Sequence, residues 1–210
     1  KDVECLRSLP FQELVKEEAF LESVRPTVFT GLHYYLSWVP IIDGTIITKD
    51  PFHAILDGEL DKPVILGTNR DEGELFEGIA RLFLGLKKNR IFSFDGYVSY
   101  IASIFGLDFD KVVDQYPGIH DGDNEPVLAS VVTDFDFLCA NHNAARGSSA
   151  HGRPVYTYRF DHIPSFNFLC LKECEDYVCH MAELPFVFHT AELIPDCSSL
   201  LQKRPTKFTR

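Results

Sequence analysis

The spacing of apolar residues predicts helices and one β-rich stretch in the first part of the chain. Apolar side chains recur at helical spacing through about Ser23. The stretch from Tyr34 to Ile47 is typical of β structure and is broken by Asp43-Gly44, a hairpin-type turn signal. Asp50-Pro51 then predicts a short helix that has Asp50 as its N-cap and ends near Gly58.

Two short apolar runs predict strands, and helical spacing lies between them. Residues 62–69 form a run closed by Gly and Asn, which indicates a buried strand that leads into a loop, and residues 154–160 form the second run. Helical spacing covers 94–116, in two pieces around a glycine, and 125–146, whereas 147–152 indicates a loop. This alternation predicts an α/β fold, a mostly parallel sheet flanked by helices.

One carboxylate and one histidine lie in the loops that follow these two strands. Glu72 comes after the first strand and His180 after the second. Loops at the carboxyl ends of parallel strands meet at one edge of the sheet, so we expect the two side chains to lie close together. An acid that precedes a histidine matches the order of a hydrolase triad. Order and spacing alone are weak evidence, because a lone Glu in such a turn is usually a turn carboxylate and a lone His is usually structural.

Composition restricts the partners that the chain can bind. The formal net charge of −11 argues against nucleic acids and against anionic membranes, both of which require clustered basic residues. No apolar run reaches the length that spans a bilayer. The sequence begins at Lys1 without an initiator Met or a leader, which fits either a mature chain after signal removal or a segment of a larger protein.

The cysteines indicate a compartment and leave their chemistry open. Three of the six fall within ten residues, and six cysteines allow 15 connectivities; the six are Cys5, Cys139, Cys170, Cys174, Cys179 and Cys197. Clustered cysteines favour a secreted or lumenal protein with structural disulfides. Cys174, Cys179 and His180 also fit part of a zinc site, although a fourth ligand and the usual tighter spacing are missing. Cys179 as a nucleophile is disfavoured, because sequence neighbours seldom point at each other.

Two longer segments resemble a known family. Residues 67–73 (GTNRDEG) resemble the G-x-N-x-D-E-G segment of type-B carboxylesterases and cholinesterases, which are α/β-hydrolases, and 179–188 (CHMAELPFVF) resemble their H-G-x-E-L-P-F-V-F segment. Shorter matches occur in the family's order at 4–7, 39–44, 133–134 and 156–160. The resemblance covers nearly all 210 residues and implies the C-terminal part of an α/β-hydrolase that acts on carboxylic esters.

The same resemblance implies roles for individual residues. Glu72 matches the triad acid and His180 the general base, whereas Glu183 matches a buried carboxylate that supports the histidine loop. Among the cysteines, the preferred interpretation is a disulfide between Cys174 and Cys179 that stiffens the loop entering His180.

The resemblance leaves the other cysteines without partners. Cys5 and Cys139 match positions that pair, in cholinesterases, with cysteines outside this chain. Cys170 and Cys197 stay unassigned. No cofactor is implied, and the implied partner is a small-molecule ester.

Two departures from the family pattern qualify these expectations. Met181 stands where the family usually has Gly, and no G-x-S-x-G segment occurs in the sequence. The Gly-rich oxyanion loop and the family's early strands are missing too. We therefore expect residues 1–210 to form a partial domain that lacks the nucleophile region and the last C-terminal helices. Such a chain alone should not hydrolyse esters, whereas the intact protein would transfer an acyl group to serine and then to water.

Two other functions remain open at this stage. The first is a catalytically inactive, neuroligin-like binding or adhesion ectodomain, which retention of both Glu72 and His180 disfavours. The second is a stand-alone binding domain, which is disfavoured because its sheet would expose an unpaired edge. The identity of the ester and the oligomeric state stay undetermined.

Overall fold

A computed structural model of the protein describes residues 3–23, 40–83, 93–166, 171 and 174–194. The chain divides into two compact units, residues 1–40 and residues 41–210. The first unit contains α1 (Val3–Ser8) and α2 (Phe11–Ser23), as the helical spacing predicts.

The second unit alternates helices with two strands. Its strands are β1 (Val64–Asn69) and β2 (Val155–Phe160). Its α-helices, in chain order, are α3 (Pro51–Leu56), α4 (Glu72–Phe83), α5 (Phe94–Phe105), α6 (Phe109–Gln115), α7 (Glu125–Val132), α8 (Cys139–Ala150) and α9 (Leu184–Val187). A π-helical segment, Thr133–Leu138, joins α7 to α8, and 3₁₀ turns lie at Gly106–Asp108 and Ala191–Leu193.

The two strands confirm the predicted parallel pairing. They run in register from Val64 opposite Val155 to Asn69 opposite Phe160. The Tyr158 ring lies directly over Gly67, where a Cβ atom would come within 2.1 Å of the ring. Helix α8 packs on both strands, and Asn141 Nδ2 donates to the Gly67 carbonyl at 2.8 Å. The α/β architecture predicted from the sequence is therefore confirmed.

The burial of β1 differs from the prediction of a buried strand. Thr68 and Asn69, at the carboxyl end, are buried, whereas Ile65 is 70% exposed and Tyr156 on β2 is 65% exposed. The sheet has two strands within the described residues, and no described element covers Ile65 and Tyr156 on its face. The buried part of β1 is the end that leads into the Glu72 loop.

The main apolar core is helical. Tyr97 and Ile101 of α5 pack against Leu128 and Val131 of α7, and apolar residues of α5 and α6 surround them. Tyr97 also donates a hydrogen bond from its hydroxyl to the Tyr116 carbonyl. Helix α4 packs on α7 as well, so the helix that begins at the candidate acid is supported by this layer.

The helical run that begins at residue 125 is longer than predicted. Residues 147–150 belong to α8, whereas the sequence indicates a loop over 147–152. Ser148 is fully buried, and a Cβ at Gly147 would lie 3.0 Å from Leu56 Cδ2 of α3. Small residues permit this close approach of two helices, and that packing outweighs their low helix propensity.

The hairpin predicted at Asp43-Gly44 is wrong for the part that the structure describes. Residues 40–50 contain no strand, and residues 34–39 lie outside the described residues. Asp43 Oδ1 instead accepts hydrogen bonds from the backbone N–H groups of Thr45, Ile46 and Ile47 at 2.9–3.0 Å. One carboxylate thereby accepts hydrogen bonds from backbone N–H groups that a partner strand would otherwise bind, as aspartates in turns often do. These bonds also lower the pKa of Asp43.

The predicted boundaries next to Asp50 and Gly106 are confirmed. Asp50 caps α3, since its Oδ1 accepts from the His53 N–H at 3.0 Å, and the chain leaves that helix through Gly58 with a φ of 81°. The division of 94–116 into two pieces occurs at Gly106, which has a φ of 55°.

Candidate active site

Glu72 is placed at the edge of the sheet by the short connection from β1 to α4. Strand β1 ends at Asn69, α4 begins at Glu72, and the Glu72 residue is 4% exposed. Its Oε1 accepts from the Asn69 backbone N–H at 2.7 Å, and its Oε2 lies 2.6 Å from His180 Nδ1. Both carboxylate oxygens are therefore engaged, which compensates part of the cost of burying the charge.

His180 comes to Glu72 across 108 residues of sequence, as the loop argument predicts. A carboxylate accepts hydrogen bonds, so this contact assigns the proton to Nδ1 and leaves the lone pair on Nε2. The ring packs against Phe76 and Phe137, with centroid separations of 5.2 Å to each. The side chain is 35% exposed, and within the described ranges no partner occupies Nε2.

Asn69 bridges the two loops, a role that the sequence interpretation did not identify. Its Nδ2 donates to the Cys179 carbonyl at 3.2 Å and to Glu183 Oε2 at 2.5 Å. Glu183, three residues after His180, thereby ties the histidine loop to Asn69 at the end of β1. The signal was present in the Asn of the G-x-N-x-D-E-G segment, but its partners lie 110 and 114 residues away.

Thr133 is a second contributor that the sequence interpretation left without a role. Its Oγ1 accepts from the Gly73 N–H at 2.9 Å and donates to the Ala129 carbonyl at 2.8 Å. The first contact satisfies an N–H at the start of α4, where helices lack internal partners. A Cβ at Gly73 would lie 2.0 Å from the Ala129 carbonyl oxygen, so only glycine fits. Thr133 and Gly73 together fix where α4 begins, and hence where Glu72 lies.

The loop that enters His180 is closed by the predicted disulfide. Cys174 and Cys179 are bonded, with 5.7 Å between their Cα atoms. Both sulfurs are therefore unavailable as thiolate ligands or as a nucleophile, and the zinc and thiol interpretations are set aside. No group of three or more metal-binding side chains lies within the described residues.

The remaining cysteines fall into two groups. Cys5 and Cys139 are free and exposed thiols in the structure. Cys170 and Cys197 lie outside the described residues.

Met181 adopts the backbone conformation that explains the family's usual glycine. Its φ is 72°, in the left-handed region where a side chain costs about 1–2 kcal/mol. The turn that follows His180 is closed by the Ala182 N–H, which donates to the Cys179 carbonyl at 3.0 Å. The turn keeps its geometry in this chain with a methionine in the strained position.

The surroundings of the Glu72–His180 pair are acidic. Burial, reinforced by the charge of Glu125, raises the pKa of Glu74 to about 7 and that of Glu77 to about 8. Burial and the charges of Glu183 and Glu72 raise the pKa of Tyr158. These directions describe a region where further negative charge is unfavourable.

A pocket of about 290 Å³ lies behind the acid loop. It is lined by Arg70, Asp71, Glu74, Ala129, Ser130, Thr133, Asp134 and Arg159. Neither Glu72 nor His180 contributes to its wall, so the pocket is separate from the imidazole. As a further observation on the described ranges, none of their helices is both long and apolar enough to cross a membrane.

The sequence profile of the Carboxylesterase family matches residues 1–199. In fold, the chain is similar to the carboxylesterase EST55 of Geobacillus stearothermophilus, with a TM-score of 0.62 and 24% identity, over 90% of this chain and 34% of that one. This likeness agrees with the α/β-hydrolase architecture.

Curated relatives carry several different names. The chain is 28% identical over 197 residues to the "Crystal protein" of Dictyostelium discoideum, covering 91% of this chain and 34% of that one. It is 31% identical to the acetylcholinesterase of Leptinotarsa decemlineata, covering 60% and 22%, and 28% identical to human neuroligin-2, covering 89% and 22%. The chain thus spans about a third or less of the length of these relatives. Because the family profile covers nearly the whole sequence, the chain belongs to the carboxylesterase family.

Proposed function

We propose that this chain supplies the acid and the general base of a carboxylic ester hydrolase that works through a serine acyl-enzyme. The observation that carries the proposal is the 2.6 Å contact between Glu72 Oε2 and His180 Nδ1, in a member of the carboxylesterase family. The contact leaves Nε2 as the basic nitrogen, on a ring that packs against Phe76 and Phe137.

The proposed reaction proceeds in two acyl transfers. His180 Nε2 takes the proton of a serine hydroxyl while that oxygen attacks the ester carbonyl carbon. The imidazolium then gives the proton to the departing alcohol, and a water molecule repeats the sequence to release the acid. Glu72 remains ionised, keeps the ring in the Nδ1–H tautomer and stabilises the imidazolium. The serine comes from outside the 210 residues, since none of their serines lies in a G-x-S-x-G segment.

The setting of this reaction is also part of the proposal. The Cys174–Cys179 disulfide supports a secreted or lumenal protein, because such bonds persist in oxidising compartments. The net charge of −11 supports a small-molecule ester as the partner and disfavours nucleic acid.

The direct test is hydrolysis of p-nitrophenyl butyrate by the intact protein, together with labelling by a fluorophosphonate probe. We expect His180→Ala and Glu72→Gln each to lower kcat/KM by about 10⁴, as losses from a hydrolase triad do. Glu74→Gln is the matched control, because Glu74 lies on the same helix and lines the separate pocket. It should stay within about twofold of the parent. Hydrolysis that His180→Ala leaves unchanged would contradict the proposal.

The 210-residue chain offers a second measurement. Without a serine in the required segment, it should hydrolyse the same ester no faster than its own His180→Ala variant. A rate clearly above that background would require a nucleophile within these residues and would overturn the assignment of the serine to another segment.

A catalytically inactive binding ectodomain is the second candidate. The likeness to neuroligin-2 over 89% of this chain favours it. The coding sequence upstream of Lys1 separates the two functions. A G-x-S-x-G segment preceded by a Gly-rich loop supports the hydrolase, and a replaced serine supports the binding ectodomain.

A further inference from the structure

Asp71 holds the histidine loop by a pair of hydrogen bonds. Its backbone N–H donates to the Val178 carbonyl at 3.1 Å, and its Oδ2 accepts from the Val178 N–H at 2.8 Å. Val178 is fully buried and precedes His180 by two residues. Asp71 in turn immediately precedes Glu72. Neighbouring residues on one loop therefore contact two nearby positions on the other.

Arg70 fixes the carboxylate that makes this contact. Its Nε donates to both Asp71 oxygens at 3.2 and 3.0 Å, and its Nη1 donates to Asp161 Oδ1 at 2.9 Å. The Arg70 backbone N–H donates to the Phe160 carbonyl, the last residue of β2. The hydrogen bonds that Arg70 donates to Asp71 raise the pKa of Arg70. Asp71 is thus held at the carboxyl ends of both strands.

The disulfide cannot provide this hold. Cys174 and Cys179 are five residues apart, so their bond constrains the histidine loop internally and makes no link to the acid loop. Besides the Glu72–His180 contact itself, Asn69 joins the loops through the Cys179 carbonyl and Glu183. Without the Asp71 carboxylate, the Val178 N–H would lose its charged acceptor, which Arg70 orients. The backbone hydrogen bond from Asp71 to the Val178 carbonyl would be left to hold Val178.

We propose that Asp71 is a positioning residue that docks the histidine loop onto the acid loop and thereby sets the hydrogen bond between His180 Nδ1 and Glu72. Asp71 touches no reacting atom and acts through Val178. The catalytic consequence rests on the proposed ester hydrolysis, whereas the effect on the Glu72–His180 hydrogen bond does not.

The test measures the hydrogen-bonded Nδ1 proton of His180 by proton NMR in the intact protein, assigned by its loss in Glu72→Gln. Asp71→Ala should broaden or remove this far-downfield resonance. The matched control is Asp161→Ala, which removes the other carboxylate of Arg70 but leaves the Val178 contact. That variant should keep the resonance. A resonance that persists in Asp71→Ala, with or without a lower Tm, would overturn the proposal.

A milder variant covers the case in which Asp71→Ala fails to fold. Asp71→Asn keeps an oxygen that accepts from Val178 but loses the charge, and charge-assisted hydrogen bonds are about twice as strong as neutral ones. We expect the Val178 amide to exchange its hydrogen about tenfold faster in this variant, while amides of the α5 core stay unchanged. Equal exchange at Val178 would also overturn the proposal.

The kinetic measurement separates this proposal from the proposed function. In an active protein, Asp71→Ala should lower kcat at a nearly unchanged KM, because it disturbs the base and leaves substrate contacts alone. If the intact parent protein hydrolyses no ester, only the proposed hydrolase function is contradicted. The NMR and hydrogen-exchange results decide the positioning role of Asp71 independently.

Discussion

Two regions of the same sheet are built in opposite ways. At the carboxyl end lies the loop junction, which we define as residues 69–73 together with residues 178–183. Asn69, Glu72 and Val178 are buried there and share hydrogen bonds of 2.5–3.2 Å with the facing loop. At mid-strand, Ile65 and Tyr156 are 70% and 65% exposed.

The difference shows that directional hydrogen bonds fix the positions of residues in the loop junction more tightly than packing fixes those on the strand faces. Apolar burial is non-directional, so an exposed strand face leaves the arrangement of its neighbours loosely determined. The hydrogen bonds of the loop junction are directional and join groups removed from water, where an unpaired partner costs about 1–3 kcal/mol. Substitutions in the loop junction should therefore cost much more than substitutions on the strand faces.

The largest effect is expected from Gly73→Ala. The added methyl group would lie 2.0 Å from the Ala129 carbonyl oxygen, and backbone atoms of two packed helices cannot move apart cheaply. We expect the free energy of unfolding to fall by about 3 kcal/mol or more, measured by denaturant unfolding. Gly152→Ala is the control, since an added Cβ at Gly152 would meet nothing within 4 Å and would cost only the strain of a φ of 70°. A loss at Gly73 no larger than the control's would show that α4 and α7 can separate freely.

Next in size is the effect of pH through Glu77, on the helix that begins in the loop junction. Burial raises its pKa from 4.5 to about 8, so the folded protein keeps a proton that the unfolded chain loses. This group therefore favours folding less as pH rises from 4.5 to 8, with a slope of at most about 1.4 kcal/mol per pH unit. Glu77→Gln should stabilise the protein at pH 8 and change little near pH 4. The exposed Glu192→Gln serves as control, and equal effects of Glu77→Gln at both pH values would contradict the prediction.

A smaller gain is expected from Met181→Gly, which relieves strain within the loop junction. The φ of 72° disfavours any side chain, and part of the relief is offset by the greater freedom of glycine in the unfolded chain. We expect a net stabilisation of about 0.5–1 kcal/mol by thermal unfolding. Met181→Ala keeps the strained backbone and removes the thioether, so it isolates any packing contribution. A destabilised Met181→Gly would mean that the methionine side chain contributes more than its backbone costs.

The smallest effect should come from Ile65→Thr on the exposed face of β1. Threonine keeps the β-branched shape that suits a strand, and the side chain is already 70% exposed. We expect a change within about 0.5 kcal/mol in the free energy of unfolding. A loss as large as that of Gly73→Ala would show that the intact protein buries this face and would remove the contrast between the two regions.

Local patterns made much of the fold predictable. The strands and most helix boundaries follow from apolar spacing and from capping residues such as Asp50 and Gly106. The contact between Glu72 and His180 follows from strand order, because parallel strands bring their carboxyl ends together. For the strands and the helix boundaries, the deciding information lies within a few residues.

The failures arise where particular side-chain contacts decide the structure, and most of these join residues far apart in the sequence. The helical conformation of Gly147–Ala150 depends on packing against α3, and the Asp43 turn depends on one side chain capturing three N–H groups. The contacts of Asn69 reach partners more than 100 residues away. Neither propensity nor periodicity carries information at that range, so the sequence alone does not predict these contacts.

The long separations across the loop junction have a consequence for folding. Bringing together segments about 108 residues apart costs roughly 4 kcal/mol of loop-closure entropy. Most of this loss of entropy occurs when β1 pairs with β2. The contacts at separations of 107, 110 and 114 residues then form with little additional closure. The acid, the histidine and the residues that hold them should therefore come together late and in a single cooperative step, after the helices have formed.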